Sequence, residues 1–186
     1  MHTSILCQKY NSYILWMRIV FNGMGGHAMK QILLKSVYDA FEYVMDHYYP
    51  FGLEELAQRN DSYAVISIQD THTEGFGFRF AESQSCRDVL TLYFDDIEHT
   101  VEGAVLFDEI MAEEILSFVK RNRNLDTLLV HCYGGESRSR AVAAFVSQMF
   151  GMDGKVYFET GNPNLHVYHT LREVYLKEKA RNQSGQ

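Results

Sequence analysis

The residues best suited to chemistry lie in Leu128-Leu129-Val130-His131-Cys132-Tyr133-Gly134-Gly135-Glu136-Ser137-Arg138-Ser139-Arg140. An apolar run ends at a cysteine, a short glycine-containing turn follows, and then a helix begins. Backbone N–H groups in such a turn converge on one point, and the helix N-terminus adds its own free donors. That makes a cradle for a small anion. A thiol placed there has its thiolate stabilised. Arg138 ends the turn and can fold a planar, two-pronged donor over the same anion. A cysteine and an arginine bracketing a phosphate-sized nest imply attack on phosphorus.

The surrounding elements must hold that turn in place. Leu125 to His131 reads as a short apolar strand of the kind covered on both faces. Arg138 to about Phe150 reads as the helix that follows it. Val89 to Phe94 reads as another strand and ends in the acidic pair Asp95-Asp96. Between them, Gly103 to Arg121 carries Phe107, Ile110, Met111, Ile115, Phe118 and Val119 on one helical face. Its early acids and final basic residues suit the helix dipole. Tyr63 to Ile68 reads as a central strand, Gln69 to Cys86 as a polar loop, and Leu165 to Lys179 as a last helix. Nearer the N-terminus, Tyr13 to Phe21 reads as a strand, Ala28 to Met45 as one amphipathic helix or two short ones, and Leu53 to Gln58 as a helical turn. Alternating strands and helices predict an α/β fold with a central, mostly parallel sheet flanked by helices.

Composition narrows the choice further. At 186 residues the chain suits one domain, able to bury about 70% of its extended surface. A single domain over 1–186 is expected, with 1–12 and 182–186 loosely ordered. Lys+Arg is 17 against Asp+Glu 24, a net charge of −7, which argues against a general nucleic-acid footprint. No apolar run has membrane-spanning length, and the N-terminus lacks the basic-then-apolar pattern of a signal peptide. Cys7, Cys86 and Cys132 are odd in number and unpaired in spacing, which disfavours a disulfide scaffold or a four-thiolate zinc site. A reducing cytoplasm is the expected compartment.

The Cys132 segment resembles the signature of the protein tyrosine phosphatase superfamily: His-Cys, five residues, then Arg followed by Ser, with Gly135 three residues beyond the cysteine. Size and the late position of the signature resemble the compact dual-specificity branch, most strongly from about Val89 to Phe150. The resemblance implies a cysteine-based phosphatase fold and a metal-independent hydrolase with no cofactor. Cys132 would be the nucleophile that forms a phosphocysteine. Arg138 would bind the equatorial phosphoryl oxygens, and the amides of Tyr133, Gly134, Gly135, Glu136, Ser137 and Arg138 would complete the anion shell. Ser139 would donate to the thiolate, and His131 would order the loop and help set the thiol's acidity. The general acid would be Asp96 as first choice and Asp95 as second, on a loop without the Trp-Pro-Asp triplet of the tyrosine-specific branch.

Expected partners are a phosphorylated protein or a small aryl phosphoester, with phosphate or sulfate able to occupy the site. Neither nucleic acid nor membrane is expected. Glu136 makes a polyanionic inositol lipid less attractive. Two rivals stand beside this reading. One is a catalytically silent phosphate- or phosphopeptide-binding module, which would keep the nest but lack a placed acid. The other is a rhodanese-like sulfurtransferase or arsenate-reducing enzyme, which also uses a cysteine loop.

Overall fold

The computed structural model describes residues 29–57, 59–72 and 75–184. The expected strand at Tyr13 to Phe21, the turns that follow it, Cys7 and the expected loose segment 1–12 lie outside those residues. Among the described residues four strands form one fully parallel sheet: β1 (Gln31–Ser36), β2 (Tyr63–Gln69), β3 (Cys86–Tyr93) and β4 (Thr127–Cys132), in the order β1-β4-β2-β3. The helices are α1 (Val37–Tyr48), α2 (Glu109–Arg121), α3 (Arg138–Met149), the short α4 (Val156–Glu159) and α5 (Leu165–Ser184).

Period-two alternation sorts the strand side chains onto two faces. Tyr63, Val65 and Leu129 pack with Ala40, Val44 and Tyr48 of α1. Ala64, Ile66, Ile68, Leu128, Val130 and Cys132 face the larger core built with α2, α3 and α5. β4 lies between β1 and β2, with Leu33 opposite Leu129 on one side and Ile66 opposite Val130 on the other. Both neighbours run parallel to it, so the carboxyl ends of all three meet at one edge. Ligands in open parallel sheets bind at such an edge.

The helix expected over Ala28 to Met45 is corrected. Its first part is strand β1, because Ile32, Leu33 and Leu34 pair along β4. The helix begins only at Val37, where the Ser36 side chain accepts the Asp39 N–H at 3.1 Å and caps the first turn. The helix expected from Gly103 begins at Glu109, where Asp108 accepts the Met111 N–H at 2.9 Å. Phe107 is buried all the same, in the lead-in segment, with its ring 4.8 Å from that of Phe94. β3 starts three residues before the expected Val89, at Cys86. The expected turn at Leu53 to Gln58 contains a 3-10 turn at Glu54–Leu56. α4 had no periodicity long enough to announce it.

Candidate active site

β4 runs apolar to its last turn and delivers His131 and Cys132 to opposite faces. His131 points away from α3 and packs against Phe80 and Phe76, with ring centroids 5.2 Å and 6.1 Å away. It is fully buried, and neither ring nitrogen has a hydrogen-bond partner. Burial pushes its pKa down to about 4, so the ring is neutral and brings no positive charge to the neighbouring thiol. Cys132 is 3% exposed, and its Sγ accepts a hydrogen bond from Ser139 Oγ at 3.0 Å. Cys86 sits at the opposite end of the sheet, at the first residue of β3.

The turn from Tyr133 to Ser137 is held from outside. Tyr133 O accepts the Val37 N–H at 3.1 Å, and Ser137 O accepts the Asn164 N–H at 3.2 Å. The Glu136 carboxylate turns outward to Arg140, 2.9 Å from its Nη2, and Arg140 also donates to Thr160 Oγ1 at 2.9 Å. Gly135 adopts φ +73° and lies so close to β1 that a Cβ there would be 2.7 Å from the Lys35 carbonyl carbon. Only glycine fits that position.

What the turn leaves free is as informative. Among the described residues no acceptor takes the backbone N–H of Gly134, Gly135, Glu136, Ser137 or Arg138. Ser137 precedes α3 without capping it by its side chain. Arg138 is 4% exposed, yet its Nε is buried without a partner. Unpaired buried donors are costly and uncommon. Of these residues Gly135 and Arg138 are buried, Ser137 is half-buried, and Gly134 and Glu136 are exposed.

The two aspartates after β3 have different fates. Asp95 is buried. Its carboxylate accepts from Thr71 Oγ1 at 2.5 Å, Thr71 N at 3.3 Å and Val105 N at 2.8 Å. Burial by itself raises its pKa, but these donors outweigh that and hold it below the usual carboxylate range. Asp96 is exposed and faces the turn: its Oδ1 accepts from Ser137 Oγ at 2.8 Å and from Asn164 Nδ2 at 2.9 Å. It also lines an open cleft of about 510 Å³ with Glu98, Ser137, Phe158, Asn164 and Leu165.

Asp70 is the residue that sequence reasoning missed. It follows β2 directly, in the stretch read as a polar loop, and its Oδ1 is 2.6 Å from Arg138 Nη1. The same Nη1 donates to Phe94 O at 2.8 Å. No spacing rule links positions 70 and 138; the only available signal was an acid at the carboxyl end of a predicted central strand. An aromatic rim stands at the start of the turn. Tyr133 is 55% exposed, with Phe76 and Tyr38 rings at 5.8 Å and 6.4 Å.

Among the described residues no group of three or more His, Cys, Asp or Glu is arranged to hold a metal, and no helix is long and apolar enough to cross a membrane. No protein-family model and no curated protein sequence matches the chain. Solved structures are similar to it. PTPMT1 in complex with PI(5)P matches at 18% identity and TM-score 0.49, over 82% of this chain and 94% of that one. DUSP15 matches at 19% identity and TM-score 0.41, over 80% and 87%. OH1 from the Orf virus, a tyrosine phosphatase, matches at 14% identity and TM-score 0.43, over 86% and 95%.

Proposed function

We propose that the chain is a cysteine-dependent phosphomonoester hydrolase. The observation that carries this reading is the set of unpartnered donors, five loop N–H groups and the buried Arg138 Nε, in the turn that starts at Cys132 and closes on Arg138. A tetrahedral oxyanion can satisfy them together, and such preorganised donors stabilise charge that develops on a transferring phosphoryl group.

In this reading the Cys132 thiolate attacks phosphorus. The S–P bond forms as the P–O bond to the leaving group breaks. Asp96 gives its proton to the departing oxygen. In the second step Asp96 takes a proton from water, whose oxygen displaces the sulfur and releases inorganic phosphate. Ser139, bonded to Sγ, stabilises the thiolate as it departs. Asp95 is assigned an anchoring role, because all its capacity is spent on Thr71 and Val105. The neutral His131 acts by packing. The exposed aromatic rim favours an aryl phosphoester, such as phosphotyrosine in a protein, over a compact alkyl phosphate. The acidic side chains of Asp96 and Glu98 in the adjoining cleft disfavour a polyanionic substrate.

The test is hydrolysis of p-nitrophenyl phosphate by purified protein in the presence of a chelator. Cys132→Ser is expected to abolish turnover while orthophosphate still binds. Full activity in that variant overturns the mechanism. Orthophosphate or phosphopeptide binding by the unaltered protein without hydrolysis selects the silent binding module instead.

A further inference from the structure

Arg138 is the one side chain on which the proposed anion site depends and which the loop itself does not hold. A guanidinium has two useful edges: the end, with Nη1 and Nη2, and the side, with Nε and Nη2. Which edge faces an anion depends on what grips the rest of the group. Here Nη1 is gripped twice, by Asp70 Oδ1 at 2.6 Å and by Phe94 O at 2.8 Å. Nε is left buried and without a partner. The side edge is therefore the one presented.

We propose that Asp70 is the positioning residue that holds the side edge of Arg138 toward the anion cradle. The proposal rests on the phosphate-site reading above and adds to it a residue outside the cysteine loop. Its logic is that of preorganisation. The guanidinium side chain is only 5% exposed, so water cannot replace a lost carboxylate partner freely. Without Asp70, one backbone carbonyl would remain to fix a long side chain that has several rotamers. Binding would then have to order Arg138 as well as capture the anion.

The position of Asp70 is itself well determined. Gln69, the last residue of β2, accepts the Phe94 N–H on its backbone oxygen at 3.2 Å. Thr71, on the other side, is bound through both its N–H and its hydroxyl to Asp95. The residues flanking Asp70 are thus tied to the end of β3, while Asp70 reaches across to α3. Asp70 would act through Arg138, with no contact to the reacting atoms.

The experiment compares Asp70→Ala, Asp70→Asn and Asp70→Glu with the unaltered protein. Orthophosphate binding is read by calorimetry, and kinetics are read with p-nitrophenyl phosphate and with an alkyl phosphate. For Asp70→Ala, orthophosphate affinity is expected to fall about 10-fold and kcat/KM by about 100-fold, a loss of orientation at the reacting centre. The losses are expected to be equal for aryl and alkyl substrates, because Asp70 donates no proton to the leaving group. Asp70→Asn, which keeps one acceptor in place, is expected to recover part of both quantities. Melting temperatures identify any variant that has failed to fold.

Three results with the variants overturn the proposal. One is affinity and kinetics within twofold of the unaltered protein in folded Asp70→Ala. Another is tighter orthophosphate binding in Asp70→Asn, which makes Asp70 a competitor of the anion. The third is a loss confined to the alkyl substrate, which makes it a proton donor. If the unaltered protein binds orthophosphate without turnover, weaker binding in the variants still supports the positioning role while the hydrolase reading falls. If it binds no orthophosphate, both fall.

Discussion

Adjacent residues of the same type serve different ends after β3. Asp95 points inward and accepts three hydrogen bonds from protein donors, while Asp96 points outward to the turn and the open cleft. In the proposed mechanism a proton donor must reach the leaving oxygen, which the exposed Asp96 can do and the buried Asp95 cannot. For Asp96→Asn, kcat is expected to fall by roughly 10²-fold with an alkyl phosphate, within the range typical of a lost general acid. With p-nitrophenyl phosphate the fall should be smaller, since that leaving group departs without much protonation. Steady-state kinetics with both substrates check this. Equal losses would assign the proton transfer elsewhere. Glu136 shows the same dependence on direction. It lies within the proposed anion loop in sequence, but its carboxylate is turned to Arg140.

The strand-turn-helix unit works because β1 supports it from below. Gly135, at φ +73°, lets the turn descend onto the Lys35-Ser36 peptide, and Val37 N–H reaches Tyr133 O just beyond. Gly135→Ala would set a methyl group 2.7 Å from the Lys35 carbonyl carbon and 2.8 Å from Ser36 N. Both obstacles are backbone, so neither can swing aside. A stability loss of about 1–3 kcal/mol is expected, the usual cost of a strained backbone position, together with loss of orthophosphate binding. At Gly134 a Cβ meets nothing nearer than 3.9 Å, so Gly134→Ala should destabilise the chain much less. Urea unfolding of the two variants side by side tests the contrast. Comparable destabilisation in both would deny β1 its supporting role.

At the scale of the whole molecule, the sheet buries a titratable ring in its aromatic core. His131 has a folded pKa of about 4 against an ordinary value of 6.5. Between these values the unfolded chain binds the proton and the native chain does not. The contribution is fully present above about pH 6.5 and is lost progressively as pH falls toward 4. The shift corresponds to roughly 3 kcal/mol. Urea midpoints at pH 7 and pH 4.5 should therefore separate more in the unaltered protein than in His131→Gln. Carboxylates held low by their partners, among them Asp61, Asp88 and Asp126, also cost stability in acid. They are common to both proteins and cancel in the comparison. An identical pH dependence in the two would remove His131 from the acid response.

The boundary between what the chain declares and what its folding decides follows the range of the interactions. Cys132, the five-residue turn, Arg138 and Ser139 are legible in order because strand, turn and helix are contiguous and each announces itself locally. The apolar spacing through Ile32, Leu33 and Val37 suits either period and concealed β1. Pairing with β4, nearly a hundred residues away, resolved it. Asp70 on Arg138, the division of labour between Asp95 and Asp96, and the fit of Gly135 over Lys35 depend on which strand ends meet at one edge of the sheet. Residue types and local spacing specify the sulfur, the guanidinium and the turn. Contacts across the sheet, which no local pattern encodes, determine how the guanidinium is held and which acid reaches the site.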